Sequence, residues 1–170
     1  VVHKDSSARQ VASFAAASPA GKSVPRPFRE IESGSEERLD LNDGELNRVL
    51  GGGLVQGSLV LLGGEPGIGK STLILQTVLK LNDKKVLYVS GEESARQLKL
   101  RAERITQQTS DCLIVCETSL EQIYVHIKNT RPDLVIIDSI QTIFTESIDS
   151  APGSLVQVRE CSASILKFAK

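Results

Sequence analysis

The strongest chemical signal in the sequence is a glycine-rich segment that ends in a lysine and a serine. Its residues fit the spacing G-x-x-x-x-G-K-[ST], and they are Gly64, Glu65, Pro66, Gly67, Ile68, Gly69, Lys70 and Ser71. Glycines let backbone N–H groups turn toward phosphate oxygens, and a following helix presents its positive end to the same anion. Lys70 adds a charge that reaches the β- and γ-phosphates, Ser71 offers a hydroxyl ligand to Mg²⁺, and Thr72 extends the polar helix start. The segment predicts a site for ATP with Mg²⁺, whose nucleotide-binding residues run from Gly64 to Thr72.

A second signal is an apolar run that ends in a carboxylate, Leu134 to Asp138. An aspartate at the carboxyl end of a buried strand is typical of the Walker B strand of P-loop proteins, where it holds Mg²⁺, usually through a water molecule. Ser139 follows directly and is expected to orient that water. Ser71 and Asp138 are therefore the predicted magnesium ligands.

A third signal is the pair Glu92 and Glu93, which follows the predicted strand that ends at Ser90. If that strand lies beside the phosphate-loop strand, Glu92 faces the γ-phosphate and can polarise an attacking water as a general base. Acidic residues also favour helix N-termini, which gives both glutamates a structural explanation. From the residues alone both interpretations stay open, with Glu93 the better match to a helix start.

Apolar periodicity predicts helices and strands that alternate along the chain. Helices are predicted at 44–50, 70–81, 92–105, 120–129 and 154–170, and strands at 58–62, 85–90, 113–116 and 134–138. The strands are nearly continuous apolar runs, as expected when helices cover both faces of a parallel sheet. We therefore expect an α/β fold with a mostly parallel sheet and helices on both faces.

The composition sets further limits. The chain has 170 residues, a net charge of −1 and no methionine, and its last residues continue a helical pattern. A net charge near zero gives no general attraction to nucleic acid or membranes, and the sequence has neither a membrane-spanning run nor a secretory signal. Residues 1–30, rich in Ser, Ala and Pro, are expected to form a flexible linker before a partial ATPase domain at 31–170. The lack of methionine and the helical end predict a fragment, truncated at its C-terminus.

The three cysteines are Cys112, Cys116 and Cys161. Their spacing is not typical of a zinc site or of a disulfide framework. We expect buried free thiols and a reducing, cytoplasmic environment.

Four stretches together resemble the RadA (Sms) family of bacterial DNA repair proteins, over residues 28–170. They are Arg48–Val55 with Gly57-Ser58, Gly63–Thr72, Tyr88–Ser94 and Ile137–Thr142. The resemblance implies a RecA-type P-loop NTPase core, in which another strand lies between the phosphate-loop strand and the Asp138 strand. It also supports Glu92, together with Lys70, as the catalytic residues.

The same resemblance implies ATP hydrolysis coupled to the processing of DNA recombination intermediates, such as branch migration. The implied assembly is a homo-oligomeric ring in the cytoplasm, with single-stranded or branched DNA and a RecA-type recombinase as partners and no membrane contact. The family's four-cysteine zinc module would precede this chain, and its later motifs would follow Lys170. The cofactors expected here are therefore ATP and Mg²⁺, without zinc.

Two other functions stay open on the sequence. One is a P-loop kinase, in which Glu92 activates a hydroxyl, and the other is a nucleotide-gated clamp or regulatory module with little turnover. The residues themselves give little support for DNA contact, because the segment Ile143–Ser154, where RecA-like proteins place a DNA-facing loop, contains no Lys or Arg. The basic residues after Glu93 are explained most simply as a solvated, mixed-charge helix face.

Overall fold

The structure is a computed structural model that describes residues 25–31, 34, 37–106 and 111–170. The chain divides into two compact units, Val1–Ser35 and Glu36–Lys170. In the first unit the described residues include a single-turn 3-10 helix, Phe28–Glu30, and Phe28 is exposed. The linker predicted at 1–30 falls mostly outside the described residues and stays a prediction.

The second unit alternates helices and strands along the chain. Its elements are β1 (Arg38–Leu39), α1 (Gly44–Val49), β2 (Leu54–Val55), α2 (Lys70–Leu79), β3 (Val86–Ser90), α3 (Ala95–Ile105), β4 (Leu113–Cys116), α4 (Leu120–Thr130), β5 (Leu134–Asp138) and α5 (Leu155–Ala169). A 3-10 turn, Ile140–Thr142, follows β5. β1 and β2 form a small antiparallel pair that is separate from the main sheet.

The main sheet has three parallel strands in the order β4-β3-β5. β3 lies in the centre and is buried along its whole length, as its apolar sequence requires. The register places Ser90 beside Cys116 of β4 and beside Asp138 of β5. The carboxyl ends of the three strands therefore meet at one edge of the sheet, where the polar residues that follow them converge.

Helices cover both faces of this sheet. Alternate residues of β3 point to opposite faces and pack against different helices. On one face Tyr88 belongs to a cluster with Val78 of α2 and Leu98 of α3. On the other face Leu87 belongs to a cluster with Ile123 of α4 and with side chains of α5. The predicted α/β class, with a parallel sheet between helices, is confirmed.

The run Ser58–Leu62 is not a strand in the structure, although its sequence predicted one. Residues 58–69 are all exposed, and Leu61 retains 80% of its accessible surface. β5 pairs with β3 on one side, and no second strand pairs with it among the described residues. An extended run becomes a strand only when a neighbour satisfies its backbone hydrogen bonds, and the described part of the chain supplies no neighbour here.

The expected neighbour of the strand before Glu92 is also wrong. That strand is β3, and it lies between β4 and β5 rather than beside the phosphate-loop run. Both β3 and β5 end at the same edge, so Glu92 is brought toward Asp138 instead. The glutamate and the aspartate come together through direct strand pairing, which the sequence pattern did not reveal.

A serine cap fixes the start of α3 and corrects the start predicted at Glu92. Ser94 Oγ accepts a hydrogen bond from the Gln97 N–H, and the Gln97 side chain accepts one from the Ser94 N–H. This capping box satisfies the helix start without an acidic residue. Glu92 and Glu93 precede the helix, and Glu93 forms an ion pair with Arg101 of α3.

The three cysteines are free, as predicted, but they are not all buried. Cys161 is buried in α5, Cys112 is partly buried and Cys116 is exposed. The exposure of Cys116 follows from its place on β4, the outer strand of the sheet. Burial raises the pKa of the Cys112 thiol to about 11.

Candidate nucleotide site

The phosphate loop leads directly into α2. Gly69 N-caps this helix with a φ of 98°, a left-handed conformation that favours glycine. The first N–H groups of α2 have no partner within the helix and can bind an anion. The Lys70 ammonium donates hydrogen bonds of 2.8 Å to the carbonyl oxygens of Gly64 and Glu65. The lysine is thereby held across the glycine-rich turn that precedes its helix.

Asp138 joins the start of α2 to the end of β5. Ser71 Oγ donates a hydrogen bond of 3.0 Å to Asp138 Oδ1. Both atoms are hard oxygen donors of the kind that Mg²⁺ binds, so the donor set fits the predicted ion. The described residues contain no group of three or more His, Cys, Asp or Glu side chains that could hold a metal. Mg²⁺ bound at this point would therefore draw its other ligands from phosphate and water.

Tyr88 is a member of this site that the sequence did not predict. Its hydroxyl donates a hydrogen bond of 2.6 Å to Asp138 Oδ2, and its side chain is completely buried. Burial, reinforced by the bond to the carboxylate, raises the pKa of the Tyr88 hydroxyl far above its usual value. A usable signal was present, since Tyr88 carries the one polar side-chain tip within the otherwise apolar run 86–89.

Glu92 is held by the residue that follows Asp138. Ser139 Oγ donates a hydrogen bond of 2.7 Å to Glu92 Oε1. Ser139 was predicted to orient a magnesium-bound water, but its hydroxyl faces the glutamate instead. The dipeptide Asp138-Ser139 therefore contacts Ser71 with one side chain and Glu92 with the other. We call the group formed by Tyr88, Gly91, Glu92, Asp138 and Ser139 the carboxylate edge.

Gly91 brings the backbone of β3 close to the turn after β5. Its N–H donates to the Asp138 carbonyl oxygen at 3.0 Å. A Cβ atom on Gly91 would lie 1.8 Å from Thr142 Oγ1 and 2.6 Å from Thr142 Cβ, far inside van der Waals contact. Thr142 Oγ1 in turn donates to the Ser139 carbonyl oxygen. Only glycine at this position lets the chain before Glu92 pack directly on the turn that carries Ser139.

An open cavity of about 250 Å³ lies beside Glu92, at the ends of β3 and β4. Its lining residues come from two short segments, Ser90–Ser94 and Cys116–Thr118. Two of its carboxylates are already engaged: Glu93 pairs with Arg101, and Glu117 Oε1 accepts from the N–H groups of Thr118 and Ser119. Glu92 is exposed toward solvent, so a water molecule can reach it.

The segment after the 3-10 turn is attached to α5 by one buried amide. The Gln157 side chain accepts from the Thr145 N–H and donates to the carbonyl oxygens of Thr145 and Ser150. Gln157 retains only 1% of its accessible surface. Within this segment Glu146 and Asp149 are exposed.

The sequence of the chain matches a known protein family. The AAA domain family matches residues 25–157, which is most of the chain. The chain belongs to the AAA domain family. This assignment fits an α/β domain that carries a phosphate loop ahead of a parallel sheet, one strand of which ends at Asp138.

Individual relatives support a narrower resemblance. The chain is 52% identical to the DNA repair protein RadA of Halalkalibacterium halodurans, over 90% of its own length and 34% of that protein. It is 53% identical to RadA of Listeria monocytogenes over 85% of the chain and 32% of that protein, and 51% identical to RadA of Bacillus subtilis over 86% and 32%. The chain thus spans about a third of the length of these relatives, and the predicted resemblance to the RadA family is confirmed.

No helix among the described residues is both long and apolar enough to cross a membrane. The longest of the helices that the structure describes, α5, has 15 residues and includes charged side chains.

Proposed function

We propose that this chain is the ATP-binding and ATP-hydrolysing module of a DNA repair protein. The observation that carries the proposal is the line of hydrogen bonds from Ser71 through Asp138-Ser139 to Glu92. It joins the end of a phosphate loop to a magnesium ligand and to a second carboxylate that water can reach. Membership of the AAA domain family and the named function of the relatives support the same conclusion.

In the proposed reaction each of these residues has a distinct task. Backbone N–H groups of residues 64–72, apart from Pro66, and the Lys70 ammonium hold the phosphates, and Lys70 exchanges its bonds to the loop carbonyls for phosphate oxygens. Ser71 and Asp138 would hold Mg²⁺, which neutralises charge on the β- and γ-phosphate oxygens when it is bound. Glu92 accepts the proton of the water that attacks the γ-phosphorus, and Ser139 keeps the carboxylate in place. As the new bond forms, the bond from the γ-phosphorus to the bridging oxygen breaks, and ADP leaves with that oxygen.

Phosphate binding is tested by removing the lysine charge. Lys70→Ala should weaken ATP binding on the order of 100-fold, because charge-assisted bonds to phosphate are lost. Isothermal titration calorimetry gives the affinity, and Lys128→Ala, a change on the exposed side of α4, is the matched control. Equal ATP affinity in the two variants would refute the assignment of the phosphate loop.

Hydrolysis is tested at the glutamate. Glu92→Gln keeps the shape of the side chain and removes its basicity, so the rate of phosphate release should fall by about 10²–10⁴-fold while ATP still binds. Glu103→Gln, on the exposed face of α3, should leave the rate unchanged. If Glu92→Gln hydrolysed ATP at the wild-type rate, another residue would have to be the base.

The coupling to DNA belongs to the same proposal. We infer that the natural protein works in the cytoplasm as a homo-oligomeric ring on single-stranded or branched DNA, together with a RecA-type recombinase, and drives branch migration. The measurement is the rate of phosphate release by the full-length natural protein, with and without single-stranded DNA. Stimulation by DNA supports a motor, transfer of phosphate to a hydroxyl acceptor would identify a kinase, and binding without turnover would identify a clamp.

A further inference from the structure

The two oxygens of the Asp138 carboxylate have different partners. Oδ1 accepts from Ser71 Oγ at 3.0 Å, and Oδ2 accepts from the Tyr88 hydroxyl at 2.6 Å. These donors come from different elements, one from the start of α2 and the other from the centre of the sheet. A carboxylate held at both oxygens cannot rotate about its last bond without losing at least one hydrogen bond.

Tyr88 is fixed at its end of this bond. It lies on the central strand, is completely buried, and is packed among apolar side chains such as Val78 and Leu98. A buried tyrosine hydroxyl needs a hydrogen-bond partner, and Asp138 Oδ2 is the one that the structure provides.

The hydroxyl is not explained by packing alone. The ring packs among apolar side chains, so a phenylalanine ring would fill the same space. What the hydroxyl adds is a charge-assisted hydrogen bond to the carboxylate that the proposed function assigns to Mg²⁺. This bond, at 2.6 Å, is shorter than the 3.0 Å bond on the Ser71 side, and its donor belongs to a completely buried side chain.

We propose that Tyr88 is a positioning residue for magnesium binding: it holds Oδ2 of Asp138, so that Oδ1 faces Ser71 and is the oxygen offered to the ion. The inference rests on the proposed function. In this proposal a residue in the buried centre of the sheet, Tyr88, sets the orientation of a metal ligand at the edge of the sheet, Asp138. Groups that hold a metal ligand in orientation typically change metal affinity 10–100-fold when they are removed.

The test is the substitution Tyr88→Phe in the full-length natural protein, with Tyr124→Phe as the matched control. The control substitution also removes one hydrogen-bonded hydroxyl. In the wild-type protein the Tyr124 hydroxyl is 2.7 Å from Ser164 Oγ, on the opposite face of the sheet from Tyr88. The concentration of Mg²⁺ that gives half-maximal ATP hydrolysis should rise about tenfold in Tyr88→Phe and stay unchanged in Tyr124→Phe. Binding of ATP in the presence of EDTA should be the same in all three proteins.

A double-mutant cycle separates positioning from a general effect on the fold. If Tyr88 acts through the carboxylate, Tyr88→Phe should produce no further change in Mg²⁺ affinity in an Asp138→Asn background, measured by calorimetry with a non-hydrolysable ATP analogue. An equal change in both backgrounds would contradict the inference. So would a Tyr88→Phe protein that keeps the wild-type Mg²⁺ dependence, or one that loses its thermal unfolding transition, since the hydroxyl would then serve the fold.

Failure of this inference and failure of the proposed function would give different experimental results. If Lys70→Ala abolishes ATP binding but Tyr88→Phe leaves the Mg²⁺ dependence unchanged, only the role of Tyr88 is wrong. If Lys70→Ala binds ATP normally, the nucleotide site itself is wrong.

Discussion

The carboxylate edge lies at the end of a parallel sheet whose central strand is buried, whereas most of the phosphate loop lies in a stretch, residues 58–69, that is exposed throughout. Asp138 is bonded at both carboxylate oxygens, and Glu92 is bonded through Ser139. The Lys70 ammonium bonds only carbonyl oxygens of its own loop. A loop of backbone N–H groups can close around an anion after the anion arrives. Under the proposed function, the carboxylates face one ion and one water, and such groups need positions fixed beforehand. This requirement would explain why only one of the two regions is anchored.

The contrast between a packed region and an exposed one is tested most directly by truncating one apolar side chain in each region. Leu87→Ala, in the buried centre of β3, should lower the free energy of unfolding by about 3 kcal/mol, because it leaves a cavity in the core. Leu61→Ala, in the exposed run before the loop, should change it by less than about 0.5 kcal/mol. Urea unfolding followed by circular dichroism measures both. Equal losses in the two variants would mean that the exposed run is packed in solution.

A smaller effect is expected where the backbone approaches the turn after β5. Gly91→Ala should cost about 1–3 kcal/mol, since the new methyl group must displace Thr142. It should also reduce ATP hydrolysis more than ATP binding, because Glu92 moves with it. Gly63→Ala is the control, because a Cβ atom there meets nothing within 4 Å. Unchanged stability and turnover in Gly91→Ala would show that the turn yields easily.

The reach of the anchored region beyond Asp138 is tested at Gln157. Gln157→Leu removes the amide that binds the backbone of Thr145 and Ser150, which should cost about 1–2 kcal/mol. Hydrogen exchange at the Thr145 amide should become faster. Gln122→Leu, on the exposed side of α4, should leave both quantities unchanged. Slow exchange at Thr145 in the Gln157 variant would place its protection elsewhere.

The smallest effect, on reactivity rather than stability, is expected at the outer strand of the sheet. Cys116 should react first with iodoacetamide at pH 8, because it is exposed. Cys112 should react slowly, since a pKa of about 11 leaves roughly 0.1% of the thiol ionised at that pH. Raising the pH toward 11 should speed labelling of Cys112. Mass spectrometry of the labelled peptides gives the order, and faster reaction at Cys112 would contradict the burial of that thiol.

Local patterns were enough to predict the three strands of the main sheet within about a residue, because buried parallel strands are continuous apolar runs. They were not enough for the run Ser58–Leu62, where the same pattern occurs without a neighbouring strand. Strand order was also beyond the sequence, since pairing depends on residues far apart in the chain. Lys85 N, for example, bonds the Asp133 side chain 48 residues away.

The candidate site shows the same division. The roles of Lys70, Ser71, Asp138 and Glu92 were predicted from residue type and spacing, and they stay predictions that the experiments above decide. The supporting contacts of Ser71, Asp138 and Glu92 could not be predicted, because each joins residues from different elements. Tyr88 and Asp138 are separated by 50 residues, and Glu92 and Ser139 by 47. Strand alternation places a residue on a face, but the distance between two faces or ends comes only from the assembled sheet.

The central position of β3 has a consequence for how the protein folds. Helices α2 and α3 depend on local contacts and can form within microseconds, whereas β3 meets β5 only after α3, β4 and α4 have been enclosed between them. Loop closure of that size loses chain entropy before any strand contact compensates, which makes such pairing slow. Asp138 and Glu92 come together only in that step. During refolding, the ability to hold Mg²⁺ with ATP should therefore appear in the slow kinetic phase, after most of the helical signal has recovered.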